Sequence, residues 1–331
     1  MSVKTPSFWY SDAKSLPSML LLPFSAFYYV GHVLHQSLGS PEASPIPIIC
    51  LGNLTAGGSG KTPSALMVMK IIQDRNLASY PGFLTRGYGR DTTITIKALK
   101  THNFSDIGDE AMLLRQTAPT YISANRKAGL NLALKDETDC LIMDDGYQNT
   151  QLQMGLRGLV VNSYDGFGNK RLLPSGPLRQ PVKDGLKKAN FIIYIDDPRG
   201  HRVRLDDLHS CKNIFKASMK IKTKDIDFNS KYHAFSGIAR PDKFFSSLEE
   251  IGVKLENTSV FADHHPFTRD EIQHLVAKAD DNGHTLITTE KDYVRIPVGL
   301  RKHITPIQSI LVPHDEDALA QYLAEFLNEK S

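Results

Sequence analysis

Residues 47–62 carry the densest chemistry in the chain: Pro47-Ile48-Ile49-Cys50-Leu51-Gly52-Asn53-Leu54-Thr55-Ala56-Gly57-Gly58-Ser59-Gly60-Lys61-Thr62. An apolar, β-branched run leads into a glycine-rich loop. Lys61-Thr62 then opens a helical pattern of Ala65, Leu66, Val68, Met69, Ile71 and Ile72. Strand, loop and helix in that order are the context of a P-loop. Glycines let successive backbone N–H groups turn inward around phosphate oxygens, and the helix start adds its positive dipole end. On this reading Thr55, Ala56, Gly57, Gly58, Ser59, Gly60, Lys61 and Thr62 cradle the nucleotide phosphates. The Lys61 ammonium reaches the β- and γ-phosphates of ATP, and the Thr62 hydroxyl ligates Mg²⁺. The spacing departs from G-x-x-x-x-G-K-[ST] at one place, where Thr55 stands for the first glycine. A glycine-rich turn with a chance Gly-Lys-Thr is the competing reading, and the flanking strand and helix patterns weigh against it.

Other stretches offer carboxylates, imidazoles and guanidinium groups. Asp139-Cys140-Leu141-Ile142-Met143-Asp144-Asp145-Gly146 is an apolar strand ending in acids. That is the Walker B arrangement, in which a carboxylate at the strand's end meets the Mg²⁺ held by the P-loop hydroxyl. An Asp-Gly turn is the plainer alternative; the P-loop upstream favours the metal role, with Asp144 and Asp145 both eligible. Gly108-Asp109-Glu110 precedes a helical pattern, where acids are ordinary capping residues. Asp263-His264-His265 suits a metal site, an acid/base pair, or an N-cap with incidental histidines. Arg86-Gly87-Tyr88-Gly89-Arg90 follows a strand, as either a phosphate-side loop or a surface turn.

These residues need an α/β scaffold to bring them together. Strands are expected at 80–85, 92–98, 119–123, 158–162 and 191–195, with a helix at 126–134. Past about residue 225 the pattern restarts: strand 232–235, helix 241–250, strand 257–261, helix 268–279, strand 285–288 and a last strand–helix pair. That predicts a second, smaller α/β unit. The expected division is an N-terminal membrane-associating segment at 1–40, a P-loop domain at 41–225 and a smaller α/β domain at 226–331. The length of 331 residues, more than one core usually fills, agrees.

Residues 15–34 are uncharged and hold Leu20-Leu21-Leu22, Phe24, Phe27, Tyr28, Tyr29 and Val30. A membrane span takes about 20 apolar residues, and Pro17 and Pro23 interrupt this run. Lys4 and Lys14 precede it, but no small-x-small cleavage site follows. A helix lying on a membrane surface fits; a helix packed on the protein's own core reads much the same. The net charge of +3 is too mild to argue for nucleic acid. Basic residues do cluster at Lys183, Lys187 and Lys188, at Arg199, Arg202 and Arg204, and at Lys216, Lys220, Lys222 and Lys224. A solvated face explains them, and an anionic membrane surface is the sharper alternative. Cys50, Cys140 and Cys211 form no metal or disulfide pattern, which suits a reducing compartment.

Taken in order, these stretches resemble the lipid A disaccharide 4′-kinase (tetraacyldisaccharide 4′-kinase) family, from Phe8-Trp9-Tyr10 to about Asp292. The resemblance rests on Gly52-Asn53-Leu54 before Gly57-Gly58-Ser59-Gly60-Lys61-Thr62-Pro63, on Arg86-Gly87-Tyr88-Gly89-Arg90, and on Gly108-Asp109-Glu110. Asp144-Asp145-Gly146-Tyr147-Gln148, Gly168-Asn169 with Leu173-Pro174-Ser175-Gly176-Pro177-Leu178-Arg179, Asp263-His264-His265 and Thr289-Glu290-Lys291-Asp292 complete it. It implies a P-loop NTPase-like α/β/α sandwich, a second α/β domain joined by a short β linker, and an N-terminal hydrophobic helix. The implied activity is transfer of the ATP γ-phosphoryl group to the 4′-hydroxyl of a tetraacylated glucosamine disaccharide 1-phosphate, giving lipid IVA. The implied location is the cytoplasmic face of the bacterial inner membrane, held peripherally or monotopically. Asp109 is implied as the base, His264 as its partner, and Thr62, Glu110, Asp144 and Asp145 as the residues around Mg²⁺. Ala111 stands where the family usually has Pro, Asn149 where it has His, and Gln180 where it has Glu.

Two other classes are weighed against this. A GTPase switch needs Asn-Lys-x-Asp, but Asn169-Lys170-Arg171-Leu172 lacks the Asp and Thr289-Glu290-Lys291-Asp292 lacks the Asn. A partition-type ATPase resembles Lys-Gly-Gly-x-Gly-Lys-Thr, and Ala56 replaces that first Lys. A non-enzymatic membrane-bound protein leaves Asp109, Asp145 and the P-loop without a shared purpose.

Overall fold

The computed structural model describes residues 6–11, 13–58, 60–90 and 92–329; Lys4 and the P-loop residue Ser59 lie outside the described residues. The strands, in chain order, are β1 Ile48–Gly52, β2 Pro81–Thr85, β3 Ile96–Lys97, β4 Thr120–Ile122, β5 Cys140–Asp144, β6 Leu156–Asn162 and β7 Phe191–Ile195. They continue with β8 Asn213–Ile221, β9 Lys231–Ser236, β10 Lys254–Val260, β11 Thr285–Thr289, β12 Ile304–Ile307 and β13 Ser309–Pro313. Among the described residues they make a nine-stranded sheet, ordered β13-β8-β7-β6-β1-β5-β2-β4-β3, and a four-stranded sheet, ordered β10-β9-β11-β12. The large sheet is parallel except at its ends, where β3 and β13 run antiparallel to their neighbours. All pairings in the small sheet are parallel.

Period-two alternation explains why β1 lies in the middle. Ile48 and Cys50 bury toward Leu84, Leu130 and Met143 on one face. Ile49 and Leu51 bury toward Val68, Ile72 and Phe83 on the other. A strand with apolar side chains on both faces needs helices on both, as in doubly wound sheets. The helix Lys61–Asp74 covers the second face, joined by Leu319, Leu323 and Leu327 of the helix Glu316–Asn328. The helix Arg126–Lys135 contributes Leu130 and Ala133 to the first. The small sheet repeats the scheme, with Phe244, Phe245 and Leu248 of Pro241–Glu250 on one face and Ile272, Leu275 and Ala279 of Arg269–Asp281 on the other.

Three expectations are corrected. The final strand–helix pair does not belong to the smaller unit. β13 pairs antiparallel with β8 in the large sheet, and the helix that follows packs with Ile49, Ile71 and Phe191. Periodicity says that Leu319, Leu323 and Leu327 face a core, but not which core, so the expected block 226–331 is broken at about residue 308. The chain passes between the sheets twice, along β8 and β13, and Lys222 N–H donates to Gln308 O (2.9 Å) where the passes meet. Second, β8 itself was hidden by its lysines: Lys216 and Lys220 occupy exposed alternate positions of a strand whose Ala217 is buried. Third, the strand expected at 92–98 shrinks to Ile96–Lys97 on the outer edge, where few backbone partners are available.

The N-terminal prolines do not break a helix; each begins one. Pro17 lies in the first turn of Leu16–Leu20, and Pro23 in that of Leu22–Ser37, where the missing N–H has no helical partner to lose. Among the described residues no helix is long and apolar enough to cross a membrane.

Candidate active site

The parallel order puts the carboxyl ends of β1 and β5 side by side, with Leu51 opposite Asp144. In open α/β sheets such ends are where ligands bind. Gly57 and Gly60 adopt positive φ (118° and 91°). A side chain at Gly60 would also meet Ile195 Cδ1 at 2.3 Å, so the residue before Lys61 is a glycine on two counts. Lys61 Nζ donates to Gly57 O (3.3 Å) and lies 3.8 Å from Asp145 Oδ1. One sequence candidate, Thr55, faces elsewhere, and the N–H of a second, Ala56, is already engaged. The Thr55 hydroxyl accepts from Asn53 Nδ2 (3.0 Å), and Thr55 bridges to Leu178 as a short strand contact. The Ala56 N–H is engaged by Pro177 O (2.7 Å). The part of the cradle that lines the cleft is therefore Ala56, Gly57, Gly58, Gly60, Lys61 and Thr62, without the Thr55 side chain.

Thr62 Oγ1 donates to Asp144 Oδ2 (2.9 Å), while Asp144 Oδ1 is buried without a hydrogen-bond partner. Burial pushes the Asp144 carboxyl up to about 7, helped by the negative charges of Glu110 and Asp145 and opposed by Lys61 and Thr62. An oxygen in want of a partner, beside a hydroxyl and under the influence of a second carboxylate, suits a hard divalent cation such as Mg²⁺. Asp145 is arranged differently. It sits at φ 52°, its Oδ1 accepts from Arg179 Nη1 (2.9 Å), and Lys61 and Arg179 hold its carboxyl below the usual range against the effect of burial. The expected set of Thr62, Glu110, Asp144 and Asp145 is thus not gathered as one cluster. Among the described residues no three His, Cys, Asp or Glu side chains converge closely enough to hold a metal. Arg179 neutralises the fourth member.

At the other side of the cleft the two sheets meet. Gly108, at φ 79°, turns the chain so tightly that a side chain there would lie 2.4 Å from Tyr88 O. The turn drives Asp109 inward at the start of Asp109–Leu114. Its Oδ2 lies 2.8 Å from His264 Nδ1, 3.7 Å from Lys291 Nζ and 3.9 Å from Arg295 Nε. Its Oδ1 accepts from Glu110 N–H (2.9 Å). Burial favours the neutral acid, but Lys291, then His264 and Arg295, outweigh it and hold Asp109 at about 2. His264 follows β10 in left-handed backbone (φ 56°), and the Tyr88 ring packs edge-on against it at 5.6 Å. His264 lines the cleft, and the buried Asp109 stands behind it.

Lys291 lay inside a recognised stretch without an assigned role, and Arg295 carried no sequence signal beyond its spacing from Asp292. The structure makes Arg295 the brace of this side. Its guanidinium donates to Asp292 Oδ1 (2.6 Å), Gly237 O (3.0 Å) and His265 O (3.2 Å). Asp292 in turn accepts from Ser236 Oγ (2.8 Å), Gly237 N–H (2.9 Å) and Thr289 Oγ1 (2.7 Å). His265 points away, to Glu271 (3.0 Å). One cleft of about 1900 Å³ is lined by Lys61, Thr62, Glu110 and Asp145 from the large sheet, His264 and Lys291 from the small one, and Tyr28 and His32 from the N-terminal helix.

The sequence model of the family described as LpxK, tetraacyldisaccharide-1-P 4′-kinase, matches residues 17–328. The chain is 37% identical to the tetraacyldisaccharide 4′-kinase of Paramagnetospirillum magneticum, over 96% of each chain. It is 36% identical to that of Gluconobacter oxydans, over 93% of each, and 34% identical to that of a Methylobacterium species, over 99% of each. The fold is similar to the crystal structure of LpxK from Aquifex aeolicus in complex with ATP. The TM-score is 0.75 at 24% identity, covering 94% of this chain and 99% of that one.

Proposed function

The chain belongs to the tetraacyldisaccharide-1-P 4′-kinase family, and from that premise we propose how its cleft performs the family's reaction. The protein is an ATP-dependent kinase that transfers the γ-phosphoryl group to the 4′-hydroxyl of tetraacyldisaccharide 1-phosphate, giving lipid IVA in lipid A biosynthesis. The observation that carries the mechanistic reading is that Lys61 from the large-sheet unit and His264 from the small one, with the buried Asp109 2.8 Å behind the imidazole, meet at one cleft.

At the nucleotide side, Gly57, Gly58 and Gly60 present backbone N–H groups to the phosphates and Lys61 supplies a fixed positive charge. Fixed charge of this kind is worth most where water is excluded. Thr62 and Asp144, with Glu110 facing the same space, would hold Mg²⁺; bound there, the ion neutralises charge on the transferring group. Asp145 acts through Lys61 and Arg179, not as a ligand.

At the acceptor side, Asp109 and His264 work as one base. A carboxylate held at about 2 stays ionised at neutral pH and is by itself a weak base. Asp109 therefore orients the imidazole through Nδ1 and stabilises the positive charge it acquires. His264, the member that lines the cleft, takes the hydroxyl proton as the new P–O bond forms, which exchanges the roles the resemblance implies, with Asp109 as base and His264 as its partner. Lys291 keeps Asp109 ionised and adds positive charge near the incoming phosphoryl group. The paired strands β8 and β13 connect the 231–307 unit to the large sheet, and closure of that unit over the cleft would exclude water that otherwise hydrolyses ATP.

The lipid enters from a membrane. Leu16, Leu20, Phe24 and Phe27 are exposed on the N-terminal helices, up to 77% at Phe27. An apolar surface of this kind supports peripheral or monotopic seating on the cytoplasmic face of the inner membrane, with the apolar helices in the headgroup boundary. The test is purified protein with γ-labelled ATP, Mg²⁺ and three acceptors: the tetraacylated disaccharide 1-phosphate, a soluble glucosamine derivative and a protein. Label is expected in the lipid alone; label in either of the others overturns the assignment.

A further inference from the structure

We propose that residues 168–180 are a positioning relay that ties the seating of the N-terminal helices to the geometry of the P-loop, with Ser18, Ser25, Asn169 and Ser175 as its positioning residues. The proposal rests on the kinase reading above and adds a second role for the helices besides contact with lipid.

The N-terminal helices are inverted in what they bury. In Leu16–Leu20 the buried residue is Ser18, and in Leu22–Ser37 it is Ser25. Their apolar side chains stay outside, with Leu20 at 66% and Phe24 at 60% exposure. A helix that only packed on the body would bury its leucines. A helix that only anchored to lipid would have no need of buried hydroxyls, which are costly unless fully hydrogen-bonded.

These hydroxyls are bonded, each to the same loop, with Ser25 Oγ also 3.4 Å from Leu21 O of its own helix. Ser18 Oγ donates to Ser175 O (2.7 Å), and Ser175 Oγ donates back to Ser18 O (2.5 Å). Asn169 Nδ2 reaches Ser175 O (3.0 Å) and Ser18 Oγ (3.1 Å). Ser25 Oγ donates to Leu172 O (2.9 Å) and accepts from Ser175 N–H (3.1 Å). The packing has no slack, because a side chain at Gly176 would lie 2.1 Å from Asn169 Oδ1.

Two residues further on, the same loop grips the nucleotide site. Pro177 O accepts from Ala56 N–H (2.7 Å), and Arg179 N–H donates to Leu54 O (2.7 Å). Arg179 Nη1 holds Asp145, the carboxylate beside Lys61. Between Ser175 and Arg179 the chain therefore runs from the buried helix serines to the backbone of the P-loop. A shift of the helices moves the Ala56 N–H and the Asp145 carboxylate with it. Because a misplacement of about 1 Å can cost ~100-fold in rate, this linkage acts on turnover, where an anchor acts on lipid capture.

The experiment compares Ser175→Ala and Ser25→Ala with the wild type, as full-length chains on vesicles carrying the tetraacylated disaccharide 1-phosphate. A relay predicts that kcat falls about tenfold, of the order expected for a sub-ångström misplacement. Vesicle flotation and KM for the lipid stay at wild-type values, and the melting temperature falls by only the few degrees that one lost buried hydrogen bond gives. Unchanged kcat, or a loss confined to lipid KM and flotation, overturns the relay and leaves the helices as an anchor. If Ser175→Ala does not fold, Ser25→Ala, at a site already 6% exposed, carries the same readout. Affinity for a fluorescent ATP analogue needs no acceptor: it is expected to weaken in both variants, and wild-type affinity in both overturns the relay. A wild-type chain that binds the analogue but labels no lipid defeats the kinase reading instead, so the two failures are separable.

Discussion

Asp109 and Asp144 are both buried carboxylates of the large α/β unit, and their surroundings drive them in opposite directions. Asp109 is held at about 2 against its own burial, because Lys291, His264 and Arg295 surround it. Asp144 is raised to about 7, because burial and the charges of Glu110 and Asp145 outweigh Lys61 and Thr62. The cations around Asp109 come from the small sheet's loops, whereas the neighbours of Asp144 come from its own sheet. The second unit thus delivers positive charge and an imidazole to a buried acid, and the first leaves an acid waiting for a cation. A carboxylate ionised at neutral pH thus stands behind His264 at one side of the cleft, and a cation-seeking one beside Thr62 at the P-loop side.

The contrast is broken most severely at the nucleotide side. Lys61→Ala is expected to lower kcat by roughly 10³-fold, the upper range for removing one preorganised charge from a transferring group. Circular dichroism should be unchanged, since the partners of the Lys61 ammonium are Gly57 O and the Asp145 carboxylate, and Arg179 still holds the latter. Retention of most of the activity would remove the P-loop reading.

At the acceptor side, Asp109→Ala and His264→Ala are each expected to cost kcat about 10²-fold, the lower range for general acid–base groups, with ATP affinity little altered. The double variant should be hardly worse than the poorer single one, as for residues that act as a unit. Multiplicative losses would show that the two work independently and that the 2.8 Å contact is structural.

A third measurement turns the contrast into stability. Asp109 lies below the ordinary 3.8 of an aspartate, so its contribution is present above that value and is lost as pH falls through about 2. Asp144 lies above it, so its contribution is complete below about 4 and is lost as pH rises through about 7 when no divalent cation is present. In chelator at pH 8, Asp144→Asn is expected to raise the melting temperature by a few degrees, roughly the shift that 1 kcal/mol gives in a chain of this size. At pH 5 that gain should shrink, vanishing only below about pH 4, and Asp109→Asn should lower the melting temperature at both values. Equal responses of the two variants would mean that their surroundings do not differ as described.

The smallest effect sharpens the contrast by one residue. His265→Ala should change kcat by less than about threefold, within the range of a surface substitution, since its imidazole is turned to Glu271 and not to the cleft. A loss as large as that of His264→Ala would move the working imidazole one residue along.

Much of the scaffold was legible from short-range pattern. The β-branched run at 48–51, the glycines before Lys61 and the apolar strand ending at Asp144 are local signals, because strand, turn and helix propensities act over a few residues. They located β1, β5 and the phosphate loop, and the restart past residue 225 located the small sheet. Patterns repeat at the same period whichever core they face, however, so the helix 316–328 was assigned to the wrong sheet. Thr55 was counted into the cradle because spacing cannot see its bridge to Leu178.

What the amino-acid sequence determined by itself was therefore the kit: a nucleotide loop, a metal-competent acid, an acid–His vocabulary and two α/β halves to carry them. The pairing of Asp109 with His264 was already implied by the family resemblance; only the tertiary structure decided which acid is neutralised by Arg179, and that Lys291 and Arg295 stand over Asp109. The reason is physical. Element type follows from neighbours along the chain, whereas burial and the sum of surrounding charges, which fix what a carboxylate can do, come from residues 34 to 186 positions away.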